Sequence, residues 1–397
     1  MTFPLWLPAL LFTALVFYTD DYVIAGVLPD LATDLAVSEA QAGQLVTVFS
    51  LTVALSAPVA AVTLTRVRRS TLFTVTLTVF ALANVAAAVT SQFWVLMVLR
   101  VVAALCAGAS TPAIFSWTAS QAPPEKIGRY ISVVAMGVTG AIALGVPAGT
   151  TVAHLWSWRG SFLLLAACAL VSLVAIRLTM VSDVRGGDGV PVVQQLRALS
   201  APPVSLTLGV NVVAMSGSMM AFTYLAPFLA GAAPGHELRA VAFAVSGVGG
   251  VVGVWLGGIL TDRIGPRPTI VLALLTLGAG CFGAWALWTR APLDATLVVV
   301  LVMLGAVQAL GAFALSPALT ALLSTTAGDG ADAAIALNTS GTYLGVTVAA
   351  ALGGAVLASR DAGAVVAVSG LVVCLAAGLF ALTALTVRAA RSSAGKV

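Results

Sequence analysis

Long apolar runs separated by short polar connections recur twelve times along the chain. In the first half they cover 5–29, 41–65, 71–90, 94–119, 128–152 and 160–181. In the second they cover 202–230, 240–260, 268–289, 294–321, 332–357 and 362–387. At about 1.5 Å per residue, a run of roughly twenty residues crosses a hydrocarbon core of about 30 Å, so each run predicts a membrane-spanning helix. Residues 182–201 form the longest polar stretch, with Asp183, Arg185, Asp188 and Arg197. They predict a linker between two six-helix units, 1–181 and 202–397.

The two units repeat. A shift of 197 places Ala61-Val-Thr-Leu-Thr65-Arg66 on Gly258-Ile-Leu-Thr-Asp262-Arg263 and, within one residue, Pro29 on Pro227. Each proline is expected to end the first helix of its half. A two-fold repeat of six spans is the plan of a transporter with its site between the halves. The same shift places Asp20 and Asp21 on Gly217 and Ser218, so the second half lacks the acid pair.

Composition sharpens the class. Of 397 residues 60% are hydrophobic and only 8% charged, against about 25% charged in ordinary soluble domains. The mean hydropathy is +1.09. The net charge of +4 reads as basic inner loops. With both termini placed inside, thirteen Lys and Arg fall on the inner side and four (Arg159, Arg239, Arg290, Arg360) on the outer, leaving Arg100 within a span. The basic residues are dispersed, which argues against nucleic acid. Cys106, Cys168, Cys281 and Cys374 lie in apolar runs and read as packing residues. No basic segment precedes the first run, so no cleavable leader is expected.

Within the first run, Asp20 and Asp21 interrupt an otherwise apolar segment that resumes through Leu28. A carboxylate in the bilayer core costs roughly 2.5 kcal/mol or more, so such a pair faces protein or a water-filled cavity and marks proton or substrate handling. The bland alternative ends the helix at Thr19, with the pair in water. Arg100 lies about six residues from Trp94, roughly 9 Å deep, and the acids about eight from Leu28, roughly 11 Å deep. The depths agree, which allows an Asp–Arg pair between the first and fourth spans. Burial favours the neutral acid and a nearby arginine the charged one. A change of state that alters the balance loads and unloads a proton; the alternative is a static ion pair. Neighbouring helical residues point about 100° apart, so the two acids do not share one direction.

Gly258-Ile-Leu-Thr-Asp-Arg-Ile-Gly-Pro-Arg resembles the loop signature of the major facilitator superfamily. Gly145-Val-Pro-Ala-Gly-Thr, followed by Trp158-Arg159 and Phe162, resembles the fifth-helix motif of its proton-coupled antiporters. Thr19-Asp-Asp-Tyr-Val-Ile-Ala-Gly-Val-Leu-Pro-Asp resembles the first helix of the drug-efflux and arabinose-efflux-like branch, which usually has Glu where Asp21 stands. Over the first two helices and the following loop, the chain is also similar to some actinobacterial chloramphenicol exporters. There are departures: Thr65 and Arg68 stand at the family's Asp and Gly in the first-half loop, and Tyr343 stands where this branch often has Asn.

The resemblance implies an all-α membrane protein of twelve transmembrane helices in two pseudo-symmetric bundles, the major facilitator fold. It implies Asp21 as the functional acid, with Asp20 as the Arg100 partner or an auxiliary proton site. It places Asn211, Tyr224, Asn338 and Tyr343, with Asp21, among the substrate contacts, since the seventh and eleventh helices line the cavity in this family. Asn84 is expected to bond between helices. Gly145, Pro147 and Gly149 permit close, pliant packing of the fifth helix. In the loop motif, Gly258, Asp262, Arg263, Gly265 and Arg267 suggest a gate: Gly265 for a tight turn, Asp262 to cap the fifth helix or to pair with Arg129 when the inner side is closed. Arg66, Arg68 and Arg69 face Asp329 and Asp332 across the pseudo-symmetry as a charge-swapped latch. Topology for the arginines and helix capping for the acids is the competing reading.

His154 and His236 are far apart, with no metal-ligand spacing, and no phosphate-binding G-x-x-x-x-G-K-[ST] is present. The expectation is no enzyme, metal or cofactor. It is a monomeric exporter of small, partly apolar compounds in the cell membrane, driven by the proton gradient. A physiological-solute exporter, a passive uniporter and a non-transporting receptor are the competitors.

Overall fold

The computed structural model describes residues 4–123, 126–180, 201–234, 238–327 and 331–394. Its helices are α1 (Trp6–Asp34), α2 (Glu39–Thr63), α3 (Arg69–Val89), α4 (Phe93–Gln121), α5 (Ile127–Gly140), α6 (Val146–Leu155) and α7 (Trp158–Thr179). They continue with α8 (Pro202–Thr223), α9 (Leu225–Ala232), α10 (Arg239–Ile264), α11 (Pro266–Trp288), α12 (Ala295–Thr326), α13 (Ala331–Ser359) and α14 (Ala362–Ala394). The described residues contain twelve spans long and apolar enough to cross a membrane, in two pseudo-symmetric six-helix bundles. Most of the linker, 182–200, lies outside the described residues.

Within the first bundle α2 packs on α4, α3 on α7 and α1 on α5 and α7. In the second, α12 packs on α10 and α11, and α8 on α13 and α14. The bundles meet along α2 and α13 and where α10 crosses the α5–α6 junction, with α1 against α8 and α9 between. Buried residues of the first core therefore continue into Tyr343, Val346 and Ala350 of α13.

Prolines explain where the helices depart from the expected runs. Pro227 has no N–H to give the carbonyl of Thr223, and α8 stops at Thr223 before restarting as α9. Pro147 stands at the start of α6, and the turn before it, Ala141–Gly145, widens to a π-helix around the carbonyl that its ring would strike. Pro29 behaves otherwise. It does not end α1, which runs on to Asp34. Membrane helices tolerate such a proline, and Pro58, Pro112 and Pro317 likewise lie inside unbroken spans. The depth reckoned from Leu28 therefore used the wrong helix end. Elsewhere the punctuation is as the residues dictate: a Ser38–Gln41 capping box opens α2. Gly265, at φ +88°, turns the chain from α10 into α11.

Candidate functional site

The acids lie in mid-helix, not at a helix end, which removes the reading that placed them in water. Asp20 is 0% and Asp21 2% exposed, and Arg100, on α4, is 1% exposed. Asp20 and Asp21 point to different partners, as their 100° offset requires. Arg100 Nη1 lies 2.8 Å from Asp20 Oδ2, and Nη2 donates to the Asp20 main-chain oxygen at 2.9 Å. The carboxylate contact is off the hydrogen-bonding line, so both Asp20 carboxylate oxygens keep no aligned donor among the described residues. The guanidinium rests on the Phe49 ring, 4.2 Å from its centre, which adds a cation–π contact.

Asp21 turns toward the junction of the halves. Its Oδ1 accepts a long hydrogen bond of 3.4 Å from Ser50 of α2, and its Oδ2 has no partner among the described residues. Around it lie Tyr18 and Tyr22 of α1 and Tyr343 of α13. Tyr18 and Tyr343 interact side chain to side chain across the interface. The aromatic set continues from Tyr22 to Phe222 (5.7 Å between centres, edge-on) and from Phe222 to Phe243 (5.1 Å).

Asn211 joins α8 to α13 by donating to Asn338 O at 2.9 Å and to Thr342 Oγ1 at 3.0 Å. Asn338 Oδ1 remains a buried acceptor with no partner among the described residues. Tyr224 is placed differently from a cavity-lining contact. It is 0% exposed, its hydroxyl donates to Ala350 O at 2.7 Å, and its ring fills the space beside Gly43, Gly353 and Gly354. The helix break at Thr223 swings it into the α2–α13 seam. Asn84 is a second correction: its Nδ2 bonds to Phe80 O on its own helix at 3.0 Å, and not to a neighbouring helix. Cys374 is exposed, so it is not a packing residue.

The fifth span packs as its small residues allow. A side chain at Gly145 would collide with Thr19, and one at Gly149 with Val23, both on α1. Gly247 of α10 in turn meets the backbone of Ile142 and Ala143. The widened turn next to Pro147 is thus held between α1 and the opposite half.

At the loop ends the expected gate residues are spread out. Asp262 and Arg263 are exposed in the last turn of α10, Arg267 is half-buried, and Gly258 faces open space. Asp262 forms no ion pair with Arg129 and does not cap α5, whose N-cap is Lys126; Arg129 has other partners. Arg66 is exposed. Arg69 is buried, with Nη2 donating to Ser116 Oγ at 3.2 Å. Asp329 and the side chain of Asp332 lie outside the described residues, so the proposed latch does too.

Two groups missed in the sequence stand at the other end of α1, beyond Pro29. Asp30 pairs with Arg239 of α10 at 2.6 Å, across the two halves. Asp34 pairs with Arg159 and accepts from Trp158 Nε1 at 3.0 Å, within the first half. The signal was present: two of the four basic residues counted as outer, and two acids just past the proline. Among the described residues, no three His, Cys, Asp or Glu side chains converge where a metal would sit.

Known proteins share this plan. The profile described as the Major Facilitator Superfamily matches residues 10–289 and 208–396. A chloramphenicol resistance protein of Streptomyces lividans is 34% identical over 280 residues, 69% of this chain and 70% of that protein. The uncharacterised MFS-type transporter YbcL of Bacillus subtilis (strain 168) is 32% identical over 254 residues, 64% of this chain and 65% of its own length. About two thirds of each relative is therefore matched. A bacterial homologue of the human lysosomal transporter Spinster, solved in an inward-facing conformation, superposes with a TM-score of 0.69, at 18% identity over 96% of both chains. A profile match across both halves, an MFS-type transporter among the relatives, and twelve spans in two bundles have one explanation: the chain belongs to the Major Facilitator Superfamily and is a multi-pass membrane transporter.

Proposed function

We propose that the protein exports small, partly apolar compounds in exchange for protons by alternating access, as a monomer in the cell membrane with both termini inside. The observation that carries this reading is Asp21: a buried carboxyl at the junction of the halves, with one long hydrogen bond and one oxygen unpartnered among the described residues. A charge left so poorly solvated is costly, and a proton removes that cost. Asp20 holds Arg100, and Asp21 carries the proton. Loading it with the site open to one side and releasing it toward the other couples the gradient to substrate movement. No cofactor is required.

Asn338 Oδ1 and the Tyr343 hydroxyl are the substrate's polar contacts opposite Asp21, with Asn211 positioning Asn338. The Gly145–Gly149 segment gives the rocking interface close packing, and the Gly258–Arg267 loop with Arg129, Arg66 and Arg69 serves the inner gate. The export direction and drug-like substrate class are supported by the Streptomyces relative, named for chloramphenicol resistance.

The test is substrate-induced proton movement in proteoliposomes, with Asp20→Asn and Asp21→Asn beside the parent and an amphenicol, a lipophilic cation and a pentose as substrates. Proton exchange with one compound, lost in Asp21→Asn, is the expected result. Transport without proton flux in all three proteins would make it a passive uniporter.

A further inference from the structure

Where α13 gives way to α14, the chain reads Ser359-Arg360-Asp361, a charged turn at the membrane end of two apolar helices. Beside it is an open cavity of about 460 Å³, walled by Trp285 and Trp288 of α11, by Val356 and Val368, and by Arg360 and Asp361. The wall is held in place. Trp288 stacks on Phe228, 5.1 Å between centres at 29°, and its edge lies against Gly231 and Gly363, where any side chain would collide. Arg360 is exposed and makes no ion pair with a described residue. Asp361 uses one carboxylate oxygen to cap α14, accepting from Ala364 N at 2.7 Å, and is otherwise exposed.

Below the cavity, two of its three helices, α11 and α14, border an apolar groove of about 590 Å³, lined by Val271, Leu275 and Phe282 of α11 and Val373, Ala377 and Phe380 of α14. From Trp285 to Val271 is fourteen residues. That makes about 21 Å along the helix, more than half of a hydrocarbon core of about 30 Å.

We propose that this corner of the second half is a phospholipid site: the cavity takes a zwitterionic head group with a primary ammonium, and the groove takes an acyl chain. The guanidinium of Arg360 meets the phosphate. The ammonium lies between the Asp361 carboxylate and the tryptophan faces, which attract cations through their ring quadrupoles. A trimethylated head group has no N–H to donate to Asp361, and a purely anionic one sets its charge against it. The ethanolamine type satisfies all three walls.

The test uses the full chain, purified with lipids of identical acyl chains bearing ethanolamine, choline or glycerol head groups, and counts retained lipids by native mass spectrometry at rising collision energy. The parent is expected to retain the ethanolamine lipid preferentially. Arg360→Gln should lower that retention about fivefold, the factor expected of one arginine beside a lipid charge. Asp361→Asn keeps the helix cap, since Asn caps as well as Asp. It should therefore erase the preference for ethanolamine over choline without unfolding α14. Equal retention of ethanolamine and choline lipids by the parent, best retention of the glycerol lipid, or retention untouched by Arg360→Gln would each overturn the assignment.

Discussion

In the first half, a charged group ties the middle of the first helix to the fourth span: Arg100 of α4 donates to the carbonyl of Asp20. In the second half the corresponding ties are neutral. Gln308 of α12 donates to the carbonyl of Ser218 at 3.0 Å, and Ser369 of α14 to that of Gly217 at 2.6 Å. Gly217 and Ser218 are the residues onto which the internal repeat places Asp20 and Asp21. Both halves thus add a side-chain donor from another helix to a mid-helix carbonyl of the first span. Only one half uses charges to do so. A buried ion pair is no better a scaffold than neutral groups, so its presence in one half alone points to work beyond scaffolding.

That contrast can be broken in order of effect. Asp21→Asn should reduce substrate-driven proton movement to background in proteoliposomes, while Ser218→Ala, at the matching position, should leave it intact; equal losses would end the distinction between the halves. Arg100→Met strands the Asp20 charge and should cost about 3–5 kcal/mol of stability. Gln308→Met should cost only about 0.6, the average for hydrogen bonds between membrane helices. Unfolding in mixed micelles measures both, and adding Asp20→Leu to Arg100→Met should recover most of the first loss.

Where the halves agree, matching losses are expected. Gly145 meets Thr19 of α1, and Gly345 meets Met215 of α8, so each half packs its fifth span on its first through a glycine. Gly145→Val and Gly345→Val should each cost about 1–3 kcal/mol by overpacking in the same unfolding assay. The smallest effect concerns the outer charges. Arg239→Gln removes a half-exposed pair across the halves, worth about 0–1 kcal/mol, and should tilt the balance toward opening at that end. Arg159→Gln, whose pair stays within one half, should not. Accessibility of a cysteine introduced near the junction reads the difference.

The sequence made the spans legible because a run of twenty apolar residues has one physical destination, and the acids legible because they interrupt such a run. Helix ends were less so. Pro29, Pro147 and Pro227 look alike in sequence, yet one is absorbed, one widens a turn and one breaks a helix. Treating Pro29 as a stop hid Asp30 and Asp34. The neutral shell of the acids, Phe49, Ser50, Tyr18 and Tyr22, was hidden for another reason. Such residues are unremarkable in a membrane helix, and only the packing of α2 on α1 turns Ser50 toward Asp21. Tyr224 was assigned to the cavity from the family resemblance of the seventh helix; that helix stops at Thr223, and the Tyr224 hydroxyl bonds to Ala350 O instead.

Because α1 passes through Pro29 unbroken, it is a lever as well as a span. Asp20 sits fourteen residues from its tip at Asp34, an arm of about 21 Å. A tilt of roughly 10° about the acid would carry that tip nearly 4 Å, further than the whole length of a hydrogen bond. Asp34 has its partner Arg159 in the same half and Asp30 its partner Arg239 in the other, so a rocking of the first half as a whole would carry Arg159 along and leave Arg239 behind. A movement at the buried carboxyls would therefore be magnified at the far end into one contact kept and one contact broken.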